Sequence, residues 1–390
     1  MKRKEVNSSR TPVYRDAGFE LYNAGITADA FEKEKKGERE PLNYIYSRYR
    51  NPTVVSAEEE IMKIEGSNWA LLTQSGMSSI ETALSIFQKG KETGPWLFFT
   101  EIYGGTISFI ESVLVRKRGL DIHYFTPEGS RYDMKNFEKV VGELKPQLIY
   151  AETISNPMVI VSDIPEIIKI SKKFGSKVIV DNTFATPGLY KPLRDGADLV
   201  IHSATKYFSG HGNITAGVIC GDEISLMQEA LEYRKLVGHM LSPDDAYRLQ
   251  TQLFSFKIRF ERQCSNAAKL AGYLDKSEII RKVWYPGISS HPTNDIAAKL
   301  FKDKGYGAMI TFDISGQDGA EKRARRDKFI AKVSDKIKLI PSLGDYDTIL
   351  MPVEAVWGVK YPEPGMIRLS IGFEDYEELE ETVTNALNSL

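Results

Sequence analysis

The chain has 390 residues, 42% of them hydrophobic, which is enough for a sizeable core and points to two or three domains. Its 51 Lys and Arg against 53 Asp and Glu leave a formal charge of −2, so no basic stripe marks a nucleic-acid binder and no polybasic helix marks a membrane surface. The apolar runs are far shorter than a membrane span, and the two cysteines, Cys220 and Cys264, make neither a disulfide framework nor a metal-ligand spacing.

Residues 1–45 are polar and poorly periodic. They cannot form a core of their own, so the expectation is an N-terminal arm lying on something else, such as a second subunit. The basic start leads into no apolar stretch of the signal-peptide kind, and the chain reads as cytoplasmic. The charged run 31–41 reads as a solvated loop or short helix. Asn51-Pro52-Thr53 marks a turn and a helix start, with Thr53 or Ser56 as the cap of a helix through Ile64. Tyr44, Tyr46, Arg48, Tyr49 and Arg50, just before that turn, make either an anion-binding loop or a Tyr/Arg interface.

From about residue 68 the pattern becomes regular. Apolar runs at 70–72, 96–100, 122–125, 148–151 and 178–180 read as strands. The stretches 80–87, 104–115, 134–144 and 164–174 read as the helices between them. Such alternation means βαβ units and a mainly parallel sheet, in which ligands bind beyond the carboxyl ends of the strands. Ser75-Gly76-Met77, Tyr103-Gly104-Gly105, Glu152-Thr153 and Asp181-Asn182-Thr183 all follow strand ends. They should gather at one edge.

The stretch 197–221 is the centre of the argument. An apolar strand (Leu199, Val200, Ile201) breaks into Ser203-Ala204-Thr205-Lys206-Tyr207, with glycines at 210, 212, 217 and 221, before the apolar run 218–220. A lysine at the end of a buried strand is either a surface charge or a nucleophile with a desolvated amine. Beyond it, 224–237 reads as a helix and 243–274 as one long helix or two. Strands at 308–314, 338–340 and 366–371, with helices at 322–333 and 376–387, complete the chain. The expected organisation is an arm (1–45), a large domain (46–245) and a smaller C-terminal α/β domain (246–390).

Gly76 and Met77 open a helix, whose free N–H groups and dipole make a phosphate seat, though the pair alone fits an ordinary tight turn better. Ser203 and Thr205 can add hydroxyl donors. Asp181 ends a buried strand, where a carboxylate either caps the next turn or pairs with a cation. Pyridoxal phosphate needs a lysine for its aldehyde, an acid for its ring nitrogen, a phosphate seat and a face to stack on. Lys206, Asp181, Gly76/Met77 with Ser203/Thr205, and Tyr103 offer all four.

The chain resembles the Cys/Met-metabolism family of pyridoxal-phosphate enzymes. These include cystathionine γ-synthases, β- and γ-lyases, methionine γ-lyases and O-acylhomoserine sulfhydrylases. The stretches that carry the resemblance include Tyr46-Ser47-Arg48, Ser75-Gly76-Met77, Tyr103-Gly104-Gly105-Thr106 and Asn156-Pro157. Asp181-Asn182-Thr183-Phe184, His202-Ser203-Ala204-Thr205-Lys206, Ser342-Leu343-Gly344 and Arg368-Leu369-Ser370 continue it to the C-terminus. The resemblance implies an aspartate-aminotransferase-like fold. It also implies roles: Lys206 holding the cofactor and then moving protons, Asp181 on the ring nitrogen, Tyr103 stacking and acting at the leaving group, and Asn156 on the ring hydroxyl. Arg368 would clamp the substrate α-carboxylate, and Ser342 would bind the substrate as well. Tyr46 and Arg48 would reach the phosphate of a neighbouring subunit in a homodimer or homotetramer with shared active sites.

The chain also departs from the family pattern. Gly210-His211-Gly212-Asn213 stands where Gly-His-Ser-Asp is usual, and Met351-Pro352-Val353-Glu354 where many members have His-Pro-Ala-Ser. Gly105 stands where methionine γ-lyases have a cysteine, and Asp347 where synthases and γ-lyases often have a glutamate. The cofactor set is intact while the substrate set is altered. The expected function is β/γ-elimination or γ-replacement on a sulfur-containing or O-acylhomoserine amino acid, of the cystathionine/methionine γ-lyase or cystathionine γ-synthase type. An O-acetylhomoserine sulfhydrylase is the alternative, and an aminotransferase on the same fold a more distant one.

Overall fold

The computed structural model describes residues 8–37 and 43–390. Seven strands form the larger sheet: β1 (Trp69–Thr73), β2 (Trp96–Phe99), β3 (Ile122–Phe125), β4 (Leu148–Glu152), β5 (Lys177–Asp181), β6 (Leu199–His202) and β7 (Gly217–Gly221). Their order is β1-β7-β6-β5-β4-β2-β3, and only β7 runs antiparallel to its neighbours. The central strands are fully buried because helices cover both faces, which is why they read as unbroken apolar runs rather than alternating ones. Val178, Ile179 and Val180 illustrate this: three consecutive residues with no exposed surface.

The five strands β8 (Ile280–Trp284), β9 (Met309–Ile314), β10 (Lys338–Leu339), β11 (Ile349–Pro352) and β12 (Met366–Ser370) form a second sheet in the order β10-β11-β12-β9-β8. The structure thus has a mainly parallel central sheet and a smaller α/β unit after it. The stretch 243–274 is two helices, Pro243–Leu253 and Phe256–Leu274. Among the described residues no helix is long and apolar enough to cross a membrane.

One local expectation is corrected. The helix Pro52–Glu65 is capped by Asn51, whose side chain accepts from the Thr53 N–H; Thr53 is spent elsewhere, its hydroxyl donating to Pro12 O. Much of the charged run is helical, within Ala24–Lys36, and residues 38–42 lie outside those described. The described arm lies on its own chain: Tyr14 N–H donates to Thr53 Oγ1 and Arg15 pairs with Asp244.

Candidate active site

One cavity of about 450 Å³ opens at the carboxyl edge of the parallel sheet, a volume suited to a small-molecule site. Its walls come from the segments after β1 (Ser75, Gly76, Met77), β2 (Tyr103), β4 (Glu152, Asn156), β5 (Asp181, Thr183) and β6 (Ser203, Thr205, Lys206), closed by Ser342, Met351, Trp357 and Arg368 from the second sheet. The strand-end clusters therefore do gather at one edge. Of the twelve residues singled out from the sequence, ten line this cavity. Tyr46 and Arg48 do not: Arg48 Nη1 donates to Lys235 O at 2.9 Å and its guanidinium stacks against Tyr46 and Tyr49, while Tyr46 stays exposed.

The helix Gly76–Ser85 starts four residues before the stretch 80–87, because Ser75 caps it by accepting from the Ser78 N–H. Its first amides have no intrahelical partner and face a site lined by Ser203, which makes it a place for an anion. A Cβ at Gly76 would lie 2.9 Å from Ser203 Cβ, so glycine keeps that seat open. Thr205 is already bonded both ways to Ala216, which leaves Ser203 as the hydroxyl better placed to reach a phosphate.

Lys206 Nζ donates to Ser342 Oγ at 2.9 Å. Burial, reinforced by the positive Arg368, pulls this amine down to about 8. Such an amine is largely uncharged in mildly alkaline solution and therefore nucleophilic. Arg368 is itself buried, with burial pulling its guanidinium down to about 10. Its Nη1 donates to Asn156 Oδ1 at 2.9 Å and its Nη2 to Ser342 O at 2.7 Å, with Met351 Sδ 3.2 Å away. Its Nε is buried without a partner. A buried donor left open in a cavity wall is a place for an acidic ligand.

Asp181 is buried beneath the cavity and accepts from the Thr183 N–H at 3.0 Å, from Thr183 Oγ1 at 2.6 Å and from Tyr150 OH at 3.3 Å. Burial pushes its carboxyl up, against the pull of the Thr183 bonds. Thr183 Oγ1 in turn accepts from the Ser203 N–H, tying the ends of β5 and β6 together. Glu152, paired in register with Asp181, is a lining residue to which the sequence alone assigns no role. It accepts from the Tyr103 N–H at 2.5 Å, and burial next to Asp181 pushes its carboxyl well above the usual range. Its place at the end of β4, level with Asp181, was the available signal. Trp357 has no signal in the sequence: it sits in a short helix, Val353–Trp357, with no periodicity to mark it.

The departures separate spatially. Asn213 points to the helix Pro243–Leu253, accepting from Gln252 and, through its carbonyl, from Arg248. Met351 lines the cavity; Asp347 and Asn213 do not.

A model of a family described as Cys/Met metabolism PLP-dependent enzyme matches residues 1–388. The chain belongs to this family. Similar relatives include a cystathionine beta-lyase of Lactococcus lactis subsp. cremoris, 32% identical over 91% of both chains. Another is an L-methionine gamma-lyase of Fusobacterium nucleatum subsp. polymorphum, 32% identical over 94% of this chain and 90% of that protein. Among solved structures, a cystathionine gamma synthase from Xanthomonas oryzae pv. oryzae in complex with cystathionine superposes with a TM-score of 0.84 at 26% identity, covering 97% of this chain and 92% of that one. The protein is thus a pyridoxal-phosphate-dependent enzyme of Cys/Met metabolism with the type I fold of the transsulfuration enzymes. The donor set of the cavity fits that cofactor: a deprotonatable lysine, a buried carboxylate and an open helix N-terminus face one space.

Proposed function

We propose that this enzyme carries out β/γ-elimination or γ-replacement on a sulfur-containing or O-acylhomoserine amino acid, as a cystathionine or methionine γ-lyase or a cystathionine γ-synthase does. One arrangement carries the reading: Lys206 and Arg368 line the same cavity, joined through Ser342, whose hydroxyl accepts from Lys206 Nζ and whose carbonyl accepts from Arg368 Nη2. The bound cofactor would supply the electron sink that makes a Cα proton acidic.

The chain's own residues do the rest. Arg368 holds the α-carboxylate through a planar fork, a geometry lysine cannot supply. That fixes the Cα–H bond within reach of Lys206, whose neutral amine takes the proton and returns it further along the substrate side chain. Asp181 keeps a negative charge where the ring nitrogen would lie. Glu152 fixes the backbone at Tyr103, and the Tyr103 ring covers the outer face of the site, where a leaving group departs. Gly76, Met77 and Ser203 would hold the phosphate of the bound cofactor.

The experiment is a substrate panel. Methionine, cystathionine, cysteine and O-acetylhomoserine, with and without a thiol, are scored for 2-oxobutyrate, pyruvate and new thioether. The reading expects 2-oxobutyrate or thioether from at least one of them. Keto acid without ammonia or thiol release would point to an aminotransferase, and a colourless protein that takes up no cofactor would overturn the reading.

A further inference from the structure

We propose that Trp357 selects substrates whose side chain ends in an uncharged apolar group, such as the thioether of methionine, over substrates ending in a second amino or carboxylate group. The inference rests on the function proposed above and names its substrate class.

The first ground is where the tryptophan is held. Residues 353–361 leave β11 and cross from the small sheet to the lip of the large one. At one end Glu354 pairs with Arg326 at 3.0 Å and with Arg323. At the other, Lys360 Nζ donates to Thr100 O at 3.0 Å and pairs with Glu101 at 3.1 Å, and Tyr361 OH donates to the same carboxylate. Thr100 and Glu101 lie just before Tyr103, so the segment is pinned beside the residue that covers the site. Between these anchors the Trp357 ring centre lies 5.5 Å from Arg368 Cζ. Met351 Sδ flanks the same guanidinium. A substrate with its carboxylate on Arg368 meets an indole and a thioether next.

The second ground is a count of charges. Among the described residues the cavity is lined by two acids, Glu152 and Asp181, and two bases, Lys206 and Arg368. Each has a use: Lys206 for the cofactor aldehyde, Asp181 for the ring nitrogen, Arg368 for the α-carboxylate and Glu152 for the Tyr103 amide. Arg48 of a second copy, proposed to reach the phosphate, would be used likewise. A distal carboxylate or ammonium would therefore lose its water against Trp357 and Met351 with no charged partner left. Such burial is strongly unfavourable. The replacement of the family's His-Pro-Ala-Ser stretch by Met351-Pro352-Val353-Glu354 and the helix after it supplies this apolar wall.

The test uses the cofactor-loaded enzyme and its W357A and W357F variants, with V359A, whose side chain is 97% exposed, as control. Wild type should favour methionine over cystathionine in kcat/KM by about tenfold or more, W357A should erase that preference by losing methionine, and W357F should restore most of it. The cofactor absorbance band should stay unchanged in all four proteins. Wild-type preference for cystathionine, or an equal loss on both substrates in W357A, would overturn the inference. If neither substrate turns over, the proposed function fails, yet the inference is still decided by binding. Norleucine should then perturb the cofactor spectrum at lower concentration than 2-aminoadipate in wild type and W357F; the reverse order refutes it.

Discussion

Arg368 Nη1 donates to Asn156 Oδ1 at 2.9 Å, joining the middle strand of the small sheet to the loop after β4. The same guanidinium holds Ser342 O, so one buried cation ties three segments around the cavity. R368K keeps the charge but loses the fork. It should raise KM for the amino-acid substrate about 10- to 100-fold, the worth of one charge-assisted hydrogen bond, with a smaller change in kcat. R368A also strands Asn156 Oδ1 and Ser342 O and should cost about 1–3 kcal/mol of stability for each. Steady-state kinetics and thermal melts separate the two; an unchanged KM in R368K would exclude the carboxylate role.

The lysine gives a pH prediction. Its amine is pulled down from 10.5 to about 8, so uptake of cofactor by the apo-protein should accelerate as pH rises through about 8 and level off above it. Removing the positive neighbour lets the protonated amine exist more easily. R368M should therefore move that profile to higher pH. Stability follows the same sign: between about 8 and 10.5 an unfolded chain holds a proton that folded Lys206 has released, so the apo-protein gains stability from Lys206 as pH rises through that window. Stopped-flow absorbance at several pH values reads the first effect, and a profile centred near 10.5 would contradict it.

Asp181 and Asn differ by little more than charge, which makes D181N informative. The Thr183 N–H and hydroxyl can still donate to Oδ1, so the fold and cofactor uptake should survive. The negative charge beneath the ring nitrogen is lost, and kcat should fall by about 100-fold or more, on the scale of removing one preorganised electrostatic partner. Activity within a few-fold of wild type would remove Asp181 from its proposed role.

Much of this site was legible because parallel strands, buried on both faces, end abruptly where the chain turns polar. That contrast marked Ser75-Gly76-Met77, Tyr103, Asp181 and Lys206 without any structure. The cavity's other wall was less visible. β8 and β11 escaped notice because their runs are short and mixed in character (Arg281-Lys282 in one, Pro352 in the other). Trp357 reaches the site only because residues 353–361 are anchored by ion pairs to two different elements, which no local pattern encodes. Asn51 rather than Thr53 caps its helix because Pro52 takes the first helical position, and the Thr53 hydroxyl instead donates to Pro12 O, 41 residues away.

Gly344 packs against the backbone of Lys206 and Tyr207. Its φ is +75°, and a Cβ there would lie 2.7 Å from Tyr207 N and 2.9 Å from Lys206 C, both backbone atoms that cannot give way cheaply. Its N–H donates to Ser370 Oγ. G344A should destabilise the protein by about 1–3 kcal/mol through strain at a left-handed position and should slow cofactor uptake by displacing Lys206. By contrast G76A, where no such φ applies, crowds only Ser203, its Cβ at 2.9 Å and its Cα at 3.3 Å; it should destabilise the protein less than G344A and weaken cofactor affinity. Equal melting temperatures for both variants would show that the loop at 344 has slack.

Tyr46 and Arg48 are the two expected site residues that their own chain keeps out of the cavity, Arg48 being held on the Lys235 carbonyl. If they serve the phosphate of a second copy, two inactive variants should repair each other. R48A lacks the reaching arm and K206A lacks the nucleophile, so each homodimer should be inactive or nearly so. A mixed dimer pairs the Lys206 of one subunit with the Arg48 of the other in one of its two sites, while the other site carries both lesions. Random mixing makes half of the dimers mixed, so refolding the two together should recover about a quarter of wild-type activity, the share of intact sites in a two-fold assembly. The recovered activity should fall as either variant is put in excess. No recovery, from variants shown by size-exclusion chromatography to have exchanged subunits, would confine Arg48 to its own chain.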